Sequence, residues 1–116
     1  MTIPQKSTLK LTHFGRRSGK PFDVTIWFTD IDGELWIGSL DGARNWVRNL
    51  RSGGKARVNF GDGPIDVRAE FVTADADKQR YRDAVAAKYP VLSRVIALFV
   101  RGGERVVFRL GPVGRG

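Results

Sequence analysis

Apolar and polar residues alternate with a period of two through most of this chain, and no other feature constrains its fold as strongly. Successive side chains of a β-strand point to opposite faces, so this alternation predicts strands that are buried on one face. Six segments carry the pattern, and we therefore predict six half-buried strands. Their apolar positions are Leu9, Leu11 and His13; Phe22, Val24, Ile26 and Phe28; Leu35 and Ile37; Ala56, Val58 and Phe60; Ile65, Val67, Ala69 and Phe71; and Val106, Phe108 and Leu110.

The sequences between these segments predict antiparallel hairpins. Asp32-Gly33 has the residues of a tight two-residue turn and joins strands two and three. The glycine-rich segment 61–64 joins strands four and five, and the longer segment 15–21 joins strands one and two.

Three other stretches follow the helical period. Gly53-Gly54 ends the first, and the second runs from a cap at Asp75 to about Lys88, before Pro90. The third stops at Gly102-Gly103. The apolar positions of the first and third are Ala43, Trp46, Val47 and Leu50, and Leu92, Val95, Ile96 and Phe99.

The predicted element order is β-β-β-α-β-β-α-α-β, which indicates an α+β chain that is mainly β. Short antiparallel strands with hairpin turns favour a small six-stranded barrel or half-barrel, with helices over its open ends. A chain of 116 residues has room for one core, so we predict a single domain over 1–116. Residues 1–6 and 111–116 are expected to be flexible tails.

Composition excludes several classes of chemistry. The chain has no cysteine, which excludes a thiol nucleophile and a Cys-ligated zinc site. Its one histidine, His13, shares a face with Leu9 and Leu11 and is expected to be a hydrogen-bonded core residue rather than a catalytic base. The acidic residues are scattered and form no pair, so no metal site is predicted. Polar residues 1–10 and the lack of an apolar run of about 18–20 residues predict a cytoplasmic protein without a membrane span.

The charge balance predicts an anionic partner. Twenty Lys and Arg residues stand against twelve Asp and Glu, a net charge of +8. Three of the cations lie in the turn Gly15, Arg16, Arg17, Ser18, Gly19, Lys20 and Pro21. Such a turn is typical of a phosphate site made of backbone amides and arginine side chains, although a solvated basic hairpin explains it equally well.

A second candidate site is the predicted junction between strand three and the first helix, over residues 39–49. The helix is predicted to begin near residues 41–43, where its free amide groups favour anions. Ser39 and Asp41 have the alternative role of N-cap residues. Trp46 is either a core residue or faces a ligand, and Arg44, Arg48 and Arg51 lie on the polar side of the helix. These candidate sites hold cations, glycines and aromatic rings but no evident nucleophile, so the protein either binds an anion or takes its chemistry from a cofactor.

Three runs of sequence carry a family resemblance: LTHFGRRSGKPFDVTIWF, DGELWIGSLDGARNWVRNL and KARVNF. Together they resemble the deazaflavin-dependent nitroreductase family, which belongs to the split β-barrel group that includes proteins like pyridoxamine-phosphate oxidase. The resemblance covers residues 7–73, and Tyr89-Pro90 matches a family Tyr-Pro. Leu40 stands where many members have lysine, and Thr25 replaces a proline. The stretch after Pro90 has Ser93 as its only hydroxyl.

The resemblance implies a cofactor, the deazaflavin coenzyme F-420, with a phosphodiester and an anionic polyglutamate tail. The turn at residues 15–21 would hold the phosphate and tail. The other residues that the resemblance assigns to cofactor binding are Ile26, Trp27, Ser39, Arg44, Trp46 and Asn49. The implied reaction is hydride transfer from the reduced cofactor to a small organic electrophile, with solvent or Tyr89 as the proton source.

Three alternatives remain open. A related barrel binds FMN between two protomers, and the apolar positions of residues 91–101 would suit a homodimer interface. A carrier that stores the cofactor without catalysis fits the same sequence. A single-stranded nucleic-acid-binding barrel would use Phe14, Trp27 and Trp36 to stack bases, although the clustered cations fit a small polyanion better.

Overall fold

A computed structural model of the chain describes residues 1–90 and 106–113. Within these residues the chain forms seven strands and two helices. The strands are β1 Thr8–Phe14, β2 Pro21–Trp27, β3 Thr29–Ile31, β4 Glu34–Ser39, β5 Lys55–Asn59, β6 Pro64–Val72 and β7 Val106–Pro112; the helices are α1 Asn45–Gly53 and α2 Asp75–Lys88.

All seven strands belong to one antiparallel sheet in the order β2-β1-β5-β6-β7-β4-β3. The strands at the two ends of this order, β2 and β3, are separated along the chain by Phe28 alone. The sheet therefore curls until its ends adjoin, which produces the predicted split barrel. The fold class is confirmed, with seven strands among the described residues instead of six.

The additional strand is β3, which was predicted to be the end of strand two. The turn Asp32-Gly33 joins β3 to β4, with both residues at positive φ, 53° and 84°. Such a turn matches the twist of two paired strands. The amide of Gly33 also donates to Asp30 Oδ1 at 2.8 Å. Three residues are too few for the alternation to show a separate strand.

The main core fills the inside of the curled sheet and confirms most of the predicted inward positions, with Phe22 as an exception. Residues of α1 close it, since Val47 and Leu50 are buried against apolar residues of the strands. The fully buried sheet positions include Leu11, Leu35, Ile37, Val58, Val67 and Phe108.

A second cluster lies on the other face of the sheet, where α2 covers β4 and β7. It contains Trp36, Val72, Tyr81 and Val107. Trp36 and Val107 are fully buried. The alternation had placed Trp36 and Val107 on the polar face. They are buried because α2 covers that face as well, so Trp36 cannot stack a base.

The helix boundaries agree with the sequence except at their first residues. Helix α2 ends at Lys88 as predicted, but Asp75 is its first helical residue and Ala74 holds the cap position without a side-chain hydrogen bond. Helix α1 begins at Asn45, later than predicted. Neither described helix is long and apolar enough to cross a membrane. The predicted third helix and the candidate dimer interface at 91–101 lie outside the described residues.

Parts of both predicted tails are held by contacts. Ile3 packs against the main core, and Lys6 Nζ donates to the carbonyl oxygen of Phe60. Gly111 and Pro112 continue β7, paired with residues of β6, because the nine residues of β6 provide partners that far. These contacts connect parts of both segments to the sheet, while the flexible tails and the single domain stay predictions.

Candidate functional site

Two adjoining cavities open beside β2 and the start of α1, and they share Val24, Arg44 and Trp46 in their walls. We call the first the apolar cavity; it has a volume of about 420 Å³. We call the second the cationic cavity, with about 670 Å³. A ligand that enters both would meet apolar side chains at one end and arginines at the other.

The apolar cavity is built by the second half of β2, the end of β4 and one side of α2. Val24 and Ile26 line it from β2, and Tyr81 and Val85 line it from α2. The rings of Trp27 and Tyr89 stack at one side, with centroids 5.6 Å apart and planes 28° apart. Trp27 remains 45% exposed. Such a wall suits a planar, largely apolar ligand.

Gly38 in β4 permits α2 to approach this cavity closely. A Cβ on Gly38 would lie 2.7 Å from the hydroxyl oxygen of Tyr81, closer than real Cβ atoms come to other atoms. Tyr81 is 7% exposed. Sequence reasoning missed Tyr81 and Val85 as cavity residues, although their spacing of four along α2 puts them on one side of that helix.

Between β4 and α1 the chain forms a turn that ends before the helix begins, and its side chains do not cap the helix. Ser39 Oγ donates to the carbonyl oxygen of Asp41 at 2.9 Å and accepts from the amide of Asp41 at 3.1 Å. Asp41 Oδ1 accepts from the amide of Ala43 at 2.8 Å. The predicted N-cap role of Ser39 and Asp41 is therefore wrong, because these bonds hold the chain in a turn before the helix. Arg44 holds the cap position of α1, without a side-chain cap bond.

The cationic cavity lies between the turn after β1 and the first residues of α1. Arg16, Arg17 and Ser18 line it from the turn, and Arg44 and Arg48 line it from the helix side. Asp23 is the one carboxylate among its described lining residues. This arrangement favours an anionic group.

Three amides of the turn are satisfied by other residues of the turn. The amide of Gly15 donates to the carbonyl oxygen of Lys20 at 2.9 Å, and that of Gly19 to Gly15 at 3.0 Å. The amide of Lys20 donates to Ser18 Oγ at 3.2 Å, and Gly19 has a φ of 68°. These three amides are engaged, so an anion here would meet the arginine side chains and at most the remaining amides of the turn.

His13, Asn49 and Arg16 form a chain of hydrogen bonds along the floor of the cationic cavity. Arg16 Nη1 donates to Asn49 Oδ1 at 2.7 Å, and Asn49 Nδ2 lies 2.8 Å from His13 Nδ1. The His13 ring stacks on Phe22, with centroids 5.7 Å apart. Burial lowers the pKa of His13 from its ordinary value, and the charge of Asp23 opposes this effect only in part. The expectation of a buried, hydrogen-bonded histidine is confirmed.

The hydroxyl of Tyr89 is engaged by the main chain. It donates to the carbonyl oxygens of Ser7, at 2.5 Å, and Phe28, at 3.0 Å. Burial raises the pKa of Tyr89 above its ordinary value. A phenol has one proton, and here two carbonyl oxygens compete for it, which argues against the predicted role of proton donor.

The two cavities bring together most of the residues assigned from the sequence. Gly15, Arg16, Arg17, Ser18 and Asn49 line the cationic cavity; Ile26, Trp27, Ser39 and Tyr89 line the apolar cavity; Arg44 and Trp46 line both. Gly19, Lys20 and Pro21 line neither. Phe22 lines the cationic cavity and was assigned to the core, because its apolar position in strand two gives no sign of its 49% exposure. Within 1–90 and 106–113, no group of three His, Asp or Glu residues is placed to hold a metal ion.

Comparison with known proteins identifies a family. The sequence model of the family described as "F420H(2)-dependent quinone reductase" matches residues 1–98. No curated protein matches the chain significantly.

Solved structures share the fold at low sequence identity. An F420-H2 dependent reductase, FDR-A, is 17% identical with a TM-score of 0.69, over 96% of this chain and 99% of that one. A putative pyridoxamine 5'-phosphate oxidase from Listeria innocua is 15% identical with a TM-score of 0.66, over 95% and 86%. A structure described as a domain-swapped dimer is 17% identical with a TM-score of 0.72, over 96% and 84%.

Proposed function

Since the chain belongs to the F420H(2)-dependent quinone reductase family, we propose that it is an oxidoreductase that uses coenzyme F-420 to reduce a small organic molecule. The observation that carries this proposal is the junction of an apolar, aromatic-lined cavity with a cationic one at Arg44 and Trp46. The cofactor has the same division, with a planar ring at one end and an anionic tail at the other.

The charges of the described residues fit an anionic tail in the cationic cavity. Three of the other described arginines are paired with carboxylates: Arg57 with Asp66, Arg80 with Asp32, and Arg109 with Glu70. By contrast, no ion pair joins Arg17, Arg44 or Arg48 to a carboxylate within the ranges that the structure describes. Arginine side chains left without a carboxylate are good donors to phosphate and carboxylate groups.

We assign each wall a task in the reaction. When bound, the reduced cofactor supplies a hydride from the deazaflavin ring. Arg16 and Arg17 bind the tail, while Arg44 at the start of α1 adds its charge to the positive end of the helix dipole. Trp46, which is 6% exposed, covers the ring and excludes water. These residues position and shield the reactants, and the hydride step requires no acid or base from the chain.

The apolar cavity supports a planar electrophile as substrate. Trp27 and Tyr89 offer a stacked aromatic wall, and Val85 and Ile26 add aliphatic surface. A quinone, the class in the description of the family, has the shape and polarity for such a wall. Because the Tyr89 hydroxyl is held by carbonyl oxygens, we assign proton delivery to solvent.

The proposal is tested by titrating the purified protein with oxidised F-420 and following the fluorescence of the cofactor. We expect a dissociation constant below about ten micromolar, and oxidation of the reduced cofactor when a quinone is added. Arg44→Gln is expected to weaken binding about tenfold, the effect of one charge-assisted contact. Arg51→Gln is the matched control: Arg51 lies on the same helix but stacks over Phe71, 4.2 Å from the ring centroid. Tight binding of FMN without binding of F-420 would refute the proposal.

We also propose a homodimer that covers β2. This strand is at one end of the sheet order and presents Phe22 and Trp27, which are 49% and 45% exposed. An edge strand with large apolar side chains is a common site of self-association. The similarity to a domain-swapped dimer supports this proposal. Light scattering during size-exclusion chromatography measures the mass, and a monomer at high concentration would contradict it. The cytoplasmic location stays a prediction.

A further inference from the structure

We infer that His13 and Asn49 are positioning residues that hold the Arg16 guanidinium in the cationic cavity for the anionic part of the ligand. The inference rests on the proposed function for the identity of the ligand, but the hydrogen bonds themselves are a property of the free protein. None of the assignments made from the sequence gave His13 a functional role.

The polarity of the chain of hydrogen bonds follows from the chemistry of its first member. A guanidinium has N–H donors and no acceptor, so the atom of Asn49 that faces Arg16 at 2.7 Å is the carbonyl oxygen. The amide nitrogen of Asn49 must then face His13 Nδ1, at 2.8 Å. Because that nitrogen is a donor, His13 Nδ1 must be the acceptor, and the ring proton is on Nε2.

Burial makes this polarity costly to reverse. His13 is 6% exposed and Asn49 is 8% exposed, so neither has ready access to water as a replacement partner. Rotating the Asn49 amide by half a turn would place its NH₂ group against the guanidinium and its oxygen against the Nδ1 lone pair. The ring stack with Phe22 limits movement of His13. His13 and Asn49 therefore hold Arg16 in one arrangement.

This arrangement favours binding by preorganisation. Arg16 is exposed, and an exposed arginine normally loses side-chain entropy when it binds an anion. One of its five N–H groups is used by Asn49, which leaves the others for the ligand. Arg17, which lines the same cavity, has no carboxylate or amide partner of this kind within the described ranges. Arg16 is therefore the anchored cation of the turn.

Protonation of His13 would break the arrangement. A protonated ring carries N–H at Nδ1, which would face the NH₂ group of Asn49. The charged groups that line the cavity together with His13 are Asp23 on β2, Arg16 and Arg17 in the turn, and Arg44 and Arg48 at the start of α1. Asp23 favours the protonated ring and the four arginines oppose it. Affinity for the anionic ligand is expected to fall where His13 becomes protonated.

Two measurements test the inference. The first is the ¹⁵N spectrum of the imidazole in the free protein at neutral pH, which is unambiguous because the chain has one histidine. We expect the neutral Nε2–H form; an Nδ1–H form or a protonated ring would overturn the inference. This result stands even if F-420 does not bind, in which case the proposed function alone fails.

The second measurement is a double-mutant cycle on the dissociation constant of F-420. Arg16→Gln is expected to weaken binding about tenfold and His13→Phe about threefold to tenfold. In the Arg16→Gln background, His13→Phe should have no further effect, because His13 acts through Arg16. His13→Gln retains an acceptor oxygen for Asn49 and should restore most of the affinity. If His13→Phe does not fold, the ¹⁵N measurement decides alone. Equal losses from the His13 substitution in both backgrounds would refute the inference.

Discussion

The hydroxyl oxygen of Tyr81 lies 2.7 Å from the point that a Cβ on Gly38 would occupy. Helix α2 therefore rests on β4 only because residue 38 has no side chain. We predict that Gly38→Ala lowers the free energy of unfolding by about 1–3 kcal/mol, the usual cost of inserting a methyl group into a packed contact. Urea denaturation followed by tryptophan fluorescence measures this loss.

Gly53→Ala is the control for that experiment. A Cβ on Gly53 would meet nothing within 4 Å, so this variant should be as stable as the wild type or slightly more stable. In a Tyr81→Leu background, Gly38→Ala should cost less, since the ring that it meets is gone. Equal losses for Gly38→Ala and Gly53→Ala would show that the contact with Tyr81 is not the cause.

The second prediction concerns the stacked pair of Trp27 and Tyr89. Trp27→Ala should raise the KM for a quinone about tenfold, because the substrate loses an aromatic wall. Trp27→Phe should keep the KM close to that of the wild type, because it keeps an aromatic ring at this position.

Steady-state kinetics at saturating reduced cofactor provide the measurement, with the dissociation constant of F-420 determined in parallel. An unchanged KM in Trp27→Ala would show that the Trp27 ring does not contact the substrate. A large rise in the F-420 dissociation constant would instead assign Trp27 to the cofactor.

Local patterns located most of the fold, and the exceptions have physical reasons. Alternation identifies the two faces of a strand but not what covers each one, so the burial of Trp36 by α2 was not predictable. Helix α1 was expected too early because Ser39 and Asp41 are good cap residues that form a turn of their own. The start of α2 was predicted to within one residue: Asp75 was expected at the cap and is the first helical residue. An acidic residue suits either the cap or the first turn of a helix.

The site was predictable where its residues are close in sequence. The basic turn is visible in a single segment, whereas His13 and Asn49 are 36 positions apart and meet only after β1 and α1 pack together. Tyr81 and Val85 belong to a helix whose apolar side carries no ligand signature. Pairing of distant residues depends on the sheet order, which alternation does not encode.

The third prediction concerns the pH dependence of stability. Burial holds the pKa of His13 below 6.5, its value in an unfolded chain, so the unfolded state binds more protons between the two pKa values. The contribution of His13 to stability is complete above about pH 6.5 and is lost as the pH falls through the folded pKa. We expect the wild type to lose more stability between pH 7.5 and pH 5 than His13→Gln.

Urea denaturation of both proteins at the two pH values gives the difference. Carboxylates titrate mainly at lower pH and are common to both proteins, so they cancel in the comparison. A wild type and variant with the same pH dependence would mean that the pKa of His13 is the same in both states.

The last prediction decides between the two proton sources, solvent and Tyr89. Tyr89→Phe keeps the ring that stacks on Trp27 and removes only the hydroxyl that donates to the carbonyl oxygens of Ser7 and Phe28. If that hydroxyl is structural, the variant should lose about 1 kcal/mol of unfolding free energy, the net value of a hydrogen bond, and keep its kcat within about twofold. A general acid typically contributes about 10²–10⁴-fold to the rate. A fall in kcat of that size, with unchanged stability and an altered pH profile, would instead make the Tyr89 hydroxyl the proton donor.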